Sequence, residues 1–156
     1  MTASTPPAGA TGDPARTTTP MKEDRRMSRF VSVTPNLFVT DMTRAVAFYR
    51  DVLGFAIKLT VPDEAPHVFA WMTHGDVAVF LNDLATVQHD LSEAAAPRPG
   101  SAALFITVEG VDALHDQVTP HARRVQPLTN QFYGMREFSI LDPDGYVVTF
   151  AERIGG

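Results

Sequence analysis

The chain has 156 residues, 44% hydrophobic and 20% charged, a globular balance that excludes disorder throughout. A formal charge of −5 argues against nucleic acid or an anionic membrane as the main partner, and no apolar run reaches the roughly 20 residues that cross a bilayer. The absence of cysteine excludes a disulfide framework, a thiolate nucleophile and a Cys-based zinc site, and suits a cytoplasmic setting.

Residues 1–28 are rich in Thr, Pro, Ala and Gly and end in a charge cluster, so they read as a disordered tail without the apolar segment of a signal peptide. Met21 and Met27 are candidate alternative starts. The folded part is expected over residues 29–153. A strand runs from Arg29 to Val39, and Thr40 or Asp41 then caps a helix. Met42, Ala45, Val46, Tyr49, Val52 and Leu53 form its apolar stripe, and Gly54 ends it. Three strands follow, at Phe55–Val61, His67–Thr73 and Asp76–Asn82, then a loose linker over residues 84–100.

The pattern then repeats: a strand from Ser101, a helix at Val111–Val118, and strands at Arg123–Leu128, Phe132–Leu141 and Tyr146–Glu152. Asp142-Pro143-Asp144-Gly145 makes the turn before the last strand. Letters repeat as well as pattern. Leu37-Phe38-Val39-Thr40 answers Leu104-Phe105-Ile106-Thr107, and Ala45 answers Ala113. The expected fold is α+β, with two βαβββ modules (29–83 and 101–153) forming a curved mixed sheet around a cavity.

Phe38-Val39-Thr40-Asp41 with Ala47-Phe48-Tyr49-Arg50-Asp51-Val52-Leu53-Gly54-Phe55 resembles the opening of the vicinal-oxygen-chelate (glyoxalase, bleomycin-resistance, extradiol-dioxygenase) superfamily. The run from Arg136 to Glu152 is similar to the end of its bleomycin-resistance-like members. Metal-dependent members present His and Glu from equivalent strands; the resemblance places those positions on Thr34, Phe80, Ala103 and Thr149, none of which matches. No metal and no cofactor are therefore expected. The scattered histidines, His67, His74, His89, His115 and His121, show no short ligand spacing that would rebuild a site.

Instead, strand alternation lines the expected cavity with Phe38, Phe80, Phe105 and Thr149, and places His67 and Trp71 on one side of a strand. Apolar and aromatic walls with a few polar groups suit a flat organic ligand, although the same aromatics equally suit core packing. Arg136 and Glu137 are strand neighbours, so only one points inward. Glu137 is either a base or cation-binding group, or an exposed edge charge; Tyr133 lies close by in sequence. The resemblance implies a homodimer that binds a small aromatic or cationic antibiotic-like molecule. The alternative is a glyoxalase-like lyase, isomerase or dioxygenase with an unusual metal site.

Overall fold

Alternation of buried and open positions begins at β1, Asn36–Val39, where Leu37 and Val39 enter the core while Asn36 and Phe38 face the other way. The computed structural model describes residues 28–89 and 98–155. Of the expected tail only Ser28 is described, and linker residues 90–97 also lie outside the described residues. The chain divides after Val33, and residues 28–33 take no regular structure. The first strand is thus shorter than the Arg29–Val39 run suggested. Pro35 immediately precedes it and has no amide to give a ladder, although its carbonyl accepts from Phe80 N at 2.9 Å.

Helix α1, Met42–Ala47, starts at Asp41, whose carboxylate accepts from Arg44 N at 3.0 Å. The helix then widens into a π turn over Phe48–Val52, with Leu53 N donating to Phe48 O at 3.2 Å. That turn carries Tyr49 into the core. Gly54, at φ 77°, stops the helix where a side chain would be strained. Strands β2 (Ala56–Val61), β3 (Phe69–His74) and β4 (Val77–Asp83) complete the first module. Its sheet has the order β1-β4-β3-β2, with β1 and β4 parallel and the other pairs antiparallel.

Helix α2, Leu84–Gln88, falls in what reads as a loose linker. Asp83 caps it, accepting from Thr86 N at 3.0 Å and Thr86 Oγ1 at 2.8 Å. The second module repeats the plan with β5 (Ala103–Thr107), α3 (Val111–Val118), β6 (Arg123–Asn130), β7 (Met135–Leu141) and β8 (Val147–Arg153). Its sheet order, β5-β8-β7-β6, is the same with the equivalent strands substituted. The architecture is α+β, two βαβββ modules whose eight strands form two four-stranded mixed sheets. No described helix is long and apolar enough to cross a membrane.

One face of each sheet is buried. Leu37, Val39, Ala70, Met72, Val79 and Leu81 from the first join Phe138, Ile140, Val148 and Phe150 from the second in a single core with Met42, Ala45, Val46 and Tyr49. The junction between modules is polar. Tyr49 OH donates to Asp142 Oδ2 at 2.9 Å, while Asp142 Oδ1 accepts from the amides of Asp144 and Tyr146, each at 2.9 Å. Asp144 Oδ1 accepts from both Thr40 N and Thr40 Oγ1 at 2.8 Å. Tyr146 OH clips the free edge of β1, accepting from Phe38 N at 3.1 Å and donating to Phe38 O at 3.0 Å. Burial, then the Asp142 charge, push the Tyr49 phenol far above its ordinary range.

Two predictions follow from this geometry. Tyr49→Phe strands a buried carboxylate oxygen and should cost about 1–3 kcal/mol in urea unfolding. Asp142→Asn, which keeps the acceptor for both amides, should cost less than Asp142→Ala. The second concerns α3, whose first residue follows Gly110 with no cap of its own; Glu152 on β8 supplies one, accepting from Gly110 N at 2.9 Å and Val111 N at 3.0 Å. Those amides hold its carboxyl below the usual range. A depressed acid stabilises the fold above its unfolded pKa and loses that contribution as pH falls through the folded value. Thermal melts from about pH 6 down to about pH 3 should therefore converge for wild type and Glu152→Gln, with wild type the more stable only at the upper end.

Candidate functional site: two open sheet faces

Period-two geometry leaves each sheet a second face, and the strand register shows what it carries. In the first sheet, Asn36, Phe80, Trp71 and Leu59 lie in one cross-strand row, and Phe38, Asn82, Phe69 and Val61 in the next. Phe80 meets Trp71 edge-on at 5.6 Å between ring centroids and Phe69 at 5.2 Å. The expected Phe38, Trp71 and Phe80 thus share one aromatic platform. Asn82 donates to Asn36 beside it. Lys58 Nζ lies 4.0 Å from the centre of the Trp71 ring, covering the platform with a cation that sequence reading passed over. It stands where β2 breaks register against β3, between Ile57 and Leu59, which simple alternation does not reveal. The Trp71 indole Nε1 is enclosed and has no hydrogen-bond partner among the described residues.

His67 is a correction. Strand β3 begins at Phe69, so His67 belongs to the preceding loop, where its Nδ1 pairs with Pro62 O at 2.9 Å. It pins a turn and does not share the Trp71 row.

The second sheet's open face is more polar. Phe105, Thr149, Ser139 and Gln126 form one row; Thr107, Ala151, Glu137 and Thr129 form the next. Ser139 Oγ donates to Gln126 Oε1 at 3.1 Å and pairs with Thr149 Oγ1 at 2.8 Å, a hydroxyl ladder across three strands. Phe105 remains 58% exposed. Glu137 settles the choice between inward and edge positions: β7 is an inner strand, and Glu137 is only 4% exposed. Its Oε1 accepts from the hydroxyl of Tyr133, in the loop between β6 and β7, while Oε2 is enclosed without a partner among the described residues. Arg136 points to the opposite face, where it pairs with Asp112 at 2.8 Å and Asn130 at 2.9 Å.

Thr34 precedes β1, Phe80 belongs to the aromatic platform, Ala103 pairs with Val147, and Thr149 is engaged in the hydroxyl ladder. That donor set does not fit a divalent cation, which needs imidazoles or carboxylates at those four places. Among the described residues no three His, Asp or Glu side chains converge as a metal site elsewhere.

The sequence profile of the glyoxalase/bleomycin resistance protein/dioxygenase superfamily matches residues 29–150. This chain belongs to that superfamily. Within it, the chain is 27% identical over 132 residues to the bleomycin resistance protein of Geobacillus stearothermophilus, covering 77% of this chain and 95% of that one. Among solved structures, a glyoxalase/bleomycin resistance protein/dioxygenase from Nocardioides superposes with a TM-score of 0.68 at 14% identity, over 86% of this chain and 91% of that one. The bleomycin-binding protein from bleomycin-producing Streptomyces verticillus, complexed with copper(II)-bleomycin, superposes at 0.57 and 23% identity, over 83% and 100%. At those identities the two structures share the fold of this superfamily member.

The tyrosines give a direct check of the Glu137 geometry. Burial raises Tyr49 and Tyr146, and hydrogen bonding to Glu137 raises Tyr133. Spectrophotometric titration should find all three ionising above the ordinary phenol value, and Glu137→Gln should lower Tyr133 towards it.

Proposed function

We propose that this protein is a small-molecule-binding member of its superfamily that works without a metal and takes a flat, cationic, antibiotic-like ligand on its open sheet faces. The carrying observation is that each open face holds an enclosed polar atom without a partner among the described residues: a donor at Trp71 on the first, an acceptor at Glu137 on the second. Leaving such a group unpaired costs about 1–3 kcal/mol, so a ligand that supplies the partner recovers that cost on binding. Aromatic contact comes from Trp71 and Phe80, with Phe38 on the neighbouring row, and Lys58 yields the ring face to a stacking ligand. Phe105, Thr149, Tyr133 and Glu137 supply the second half of the surface. Support comes also from the likeness to a bleomycin resistance protein.

In this reading the protein is cytoplasmic and a homodimer; exposed Leu59 and Val61 on the first open face and Phe105 on the second are better covered by a second copy than by water. Binding by sequestration requires affinity alone, which agrees with the absence of a fitting donor set at Thr34, Phe80, Ala103 and Thr149.

Titration calorimetry with metal-free bleomycin tests the proposal. Saturable binding is expected, weakened about tenfold or more by Trp71→Ala, with the protein sedimenting as a dimer and elemental analysis giving well under one metal per chain. Stoichiometric zinc, nickel, manganese or iron in untagged protein would overturn the metal-free reading in favour of an enzyme. An affinity unchanged by Trp71→Ala would remove the aromatic platform from the site.

A further inference from the structure

The duplication allows one junction between the modules to be compared with its counterpart. On one side, the β7–β8 connection, residues 142–146, packs into the β1–α1 corner and fills it with Asp142, Asp144 and Tyr146 against Tyr49 and Thr40. On the other side, the β3–β4 connection is only Gly75 and Asp76, and it faces the β5–α3 corner. The shorter turn leaves the second corner hollow, and α3 lines it with Ala113, Leu114 and Gln117. The result is a cavity of about 680 Å³.

This cavity is separate from the open faces. Phe55, Ile106, Leu114 and Phe150 build its apolar floor, and Ile106 and Phe150 alternate along their strands with Phe105 and Thr149 of the open face. Its volume falls within the range of small-molecule pockets. The charged groups lining it are Asp76 and Glu109; no Lys or Arg lines it among the described residues. The nearby start of α3 offers no anion site either, since Glu152 already accepts from Gly110 N and Val111 N. The His74 ring stands edge-on to Phe55 at 5.7 Å, extending the aromatic wall towards the acidic rim.

We infer that this hollow junction is a second binding site, selective for a small aromatic amine whose ring rests on the floor and whose ammonium group meets Asp76 and Glu109.

A matched naphthalene series tests this by amide chemical-shift mapping: 1-naphthylmethylamine (cationic at neutral pH), 1-naphthalenemethanol and 1-naphthoate. The amine should bind most tightly and shift residues 74–77 and 106–117, with the alcohol weaker and the naphthoate weakest. Asp76→Asn with Glu109→Gln should lower the amine affinity about fivefold, towards that of the alcohol, and leave the alcohol unchanged. Ala113→Trp, which plugs the cavity from α3, should abolish the shifts for all three. Equal binding of amine and naphthoate, shifts confined to residues around Trp71 and Phe105, or an amine affinity unmoved by the double charge substitution would each overturn the inference. Because Asp76 and Glu109 are exposed, the charge variant remains decisive even if Ala113→Trp fails to fold.

Discussion

The hydrogen bond from Tyr49 to Asp142 sits where the two modules meet, in a region both have withdrawn from water. Neither module closes on its own, since a four-stranded sheet with one short helix covers only part of one face. Joining them buries the shared core, but it also buries the polar turn that ends β7. Asp142 meets that demand by accepting from two amides of its own turn and from a phenol of the other module. The π turn that carries Tyr49, the clip of Tyr146 on β1 and the anchoring of Thr40 by Asp144 all belong to this knot.

Because the modules bury their helix-covered sides together, the opposite faces of the sheets are left open. The two faces differ in chemistry. One is an aromatic platform with a covering lysine; the other is a hydroxyl ladder beside the buried carboxylate of Glu137. A divided surface of this kind suits a ligand with a flat part and a charged part. The duplication also explains how a second cavity arises: two copies of one plan have drifted in turn length, so one corner is filled and its counterpart is hollow.

Much of the fold was legible because its signals are local. Alternation marked the strands, the apolar stripe with Gly54 marked the first helix, and matching Leu-Phe-Val-Thr and Leu-Phe-Ile-Thr segments exposed the duplication. The placement of Phe38, Phe80 and Phe105 on the open faces was legible for the same reason, since they keep strand phase. Errors arose where the deciding contact is distant or the phase breaks. His67 looked like a strand residue because nothing in its neighbours reveals the bond to Pro62 O. Lys58 was hidden by a register shift, and the cap of α3 comes from Glu152, on a different strand. Helix α2 was missed although Asp83 with Thr86 is an ordinary capping signal, because the surrounding residues are small and weakly patterned.

Trp71 is the only tryptophan, so its emission reports on the aromatic platform alone. Titrating the protein with metal-free bleomycin while following that emission tests the central claim most directly. A saturable change in Trp71 emission, matching the calorimetric affinity at one ligand per site, is the predicted result. Heat of binding with no change in Trp71 emission would contradict the claim, because the ligand would then lie elsewhere on the molecule.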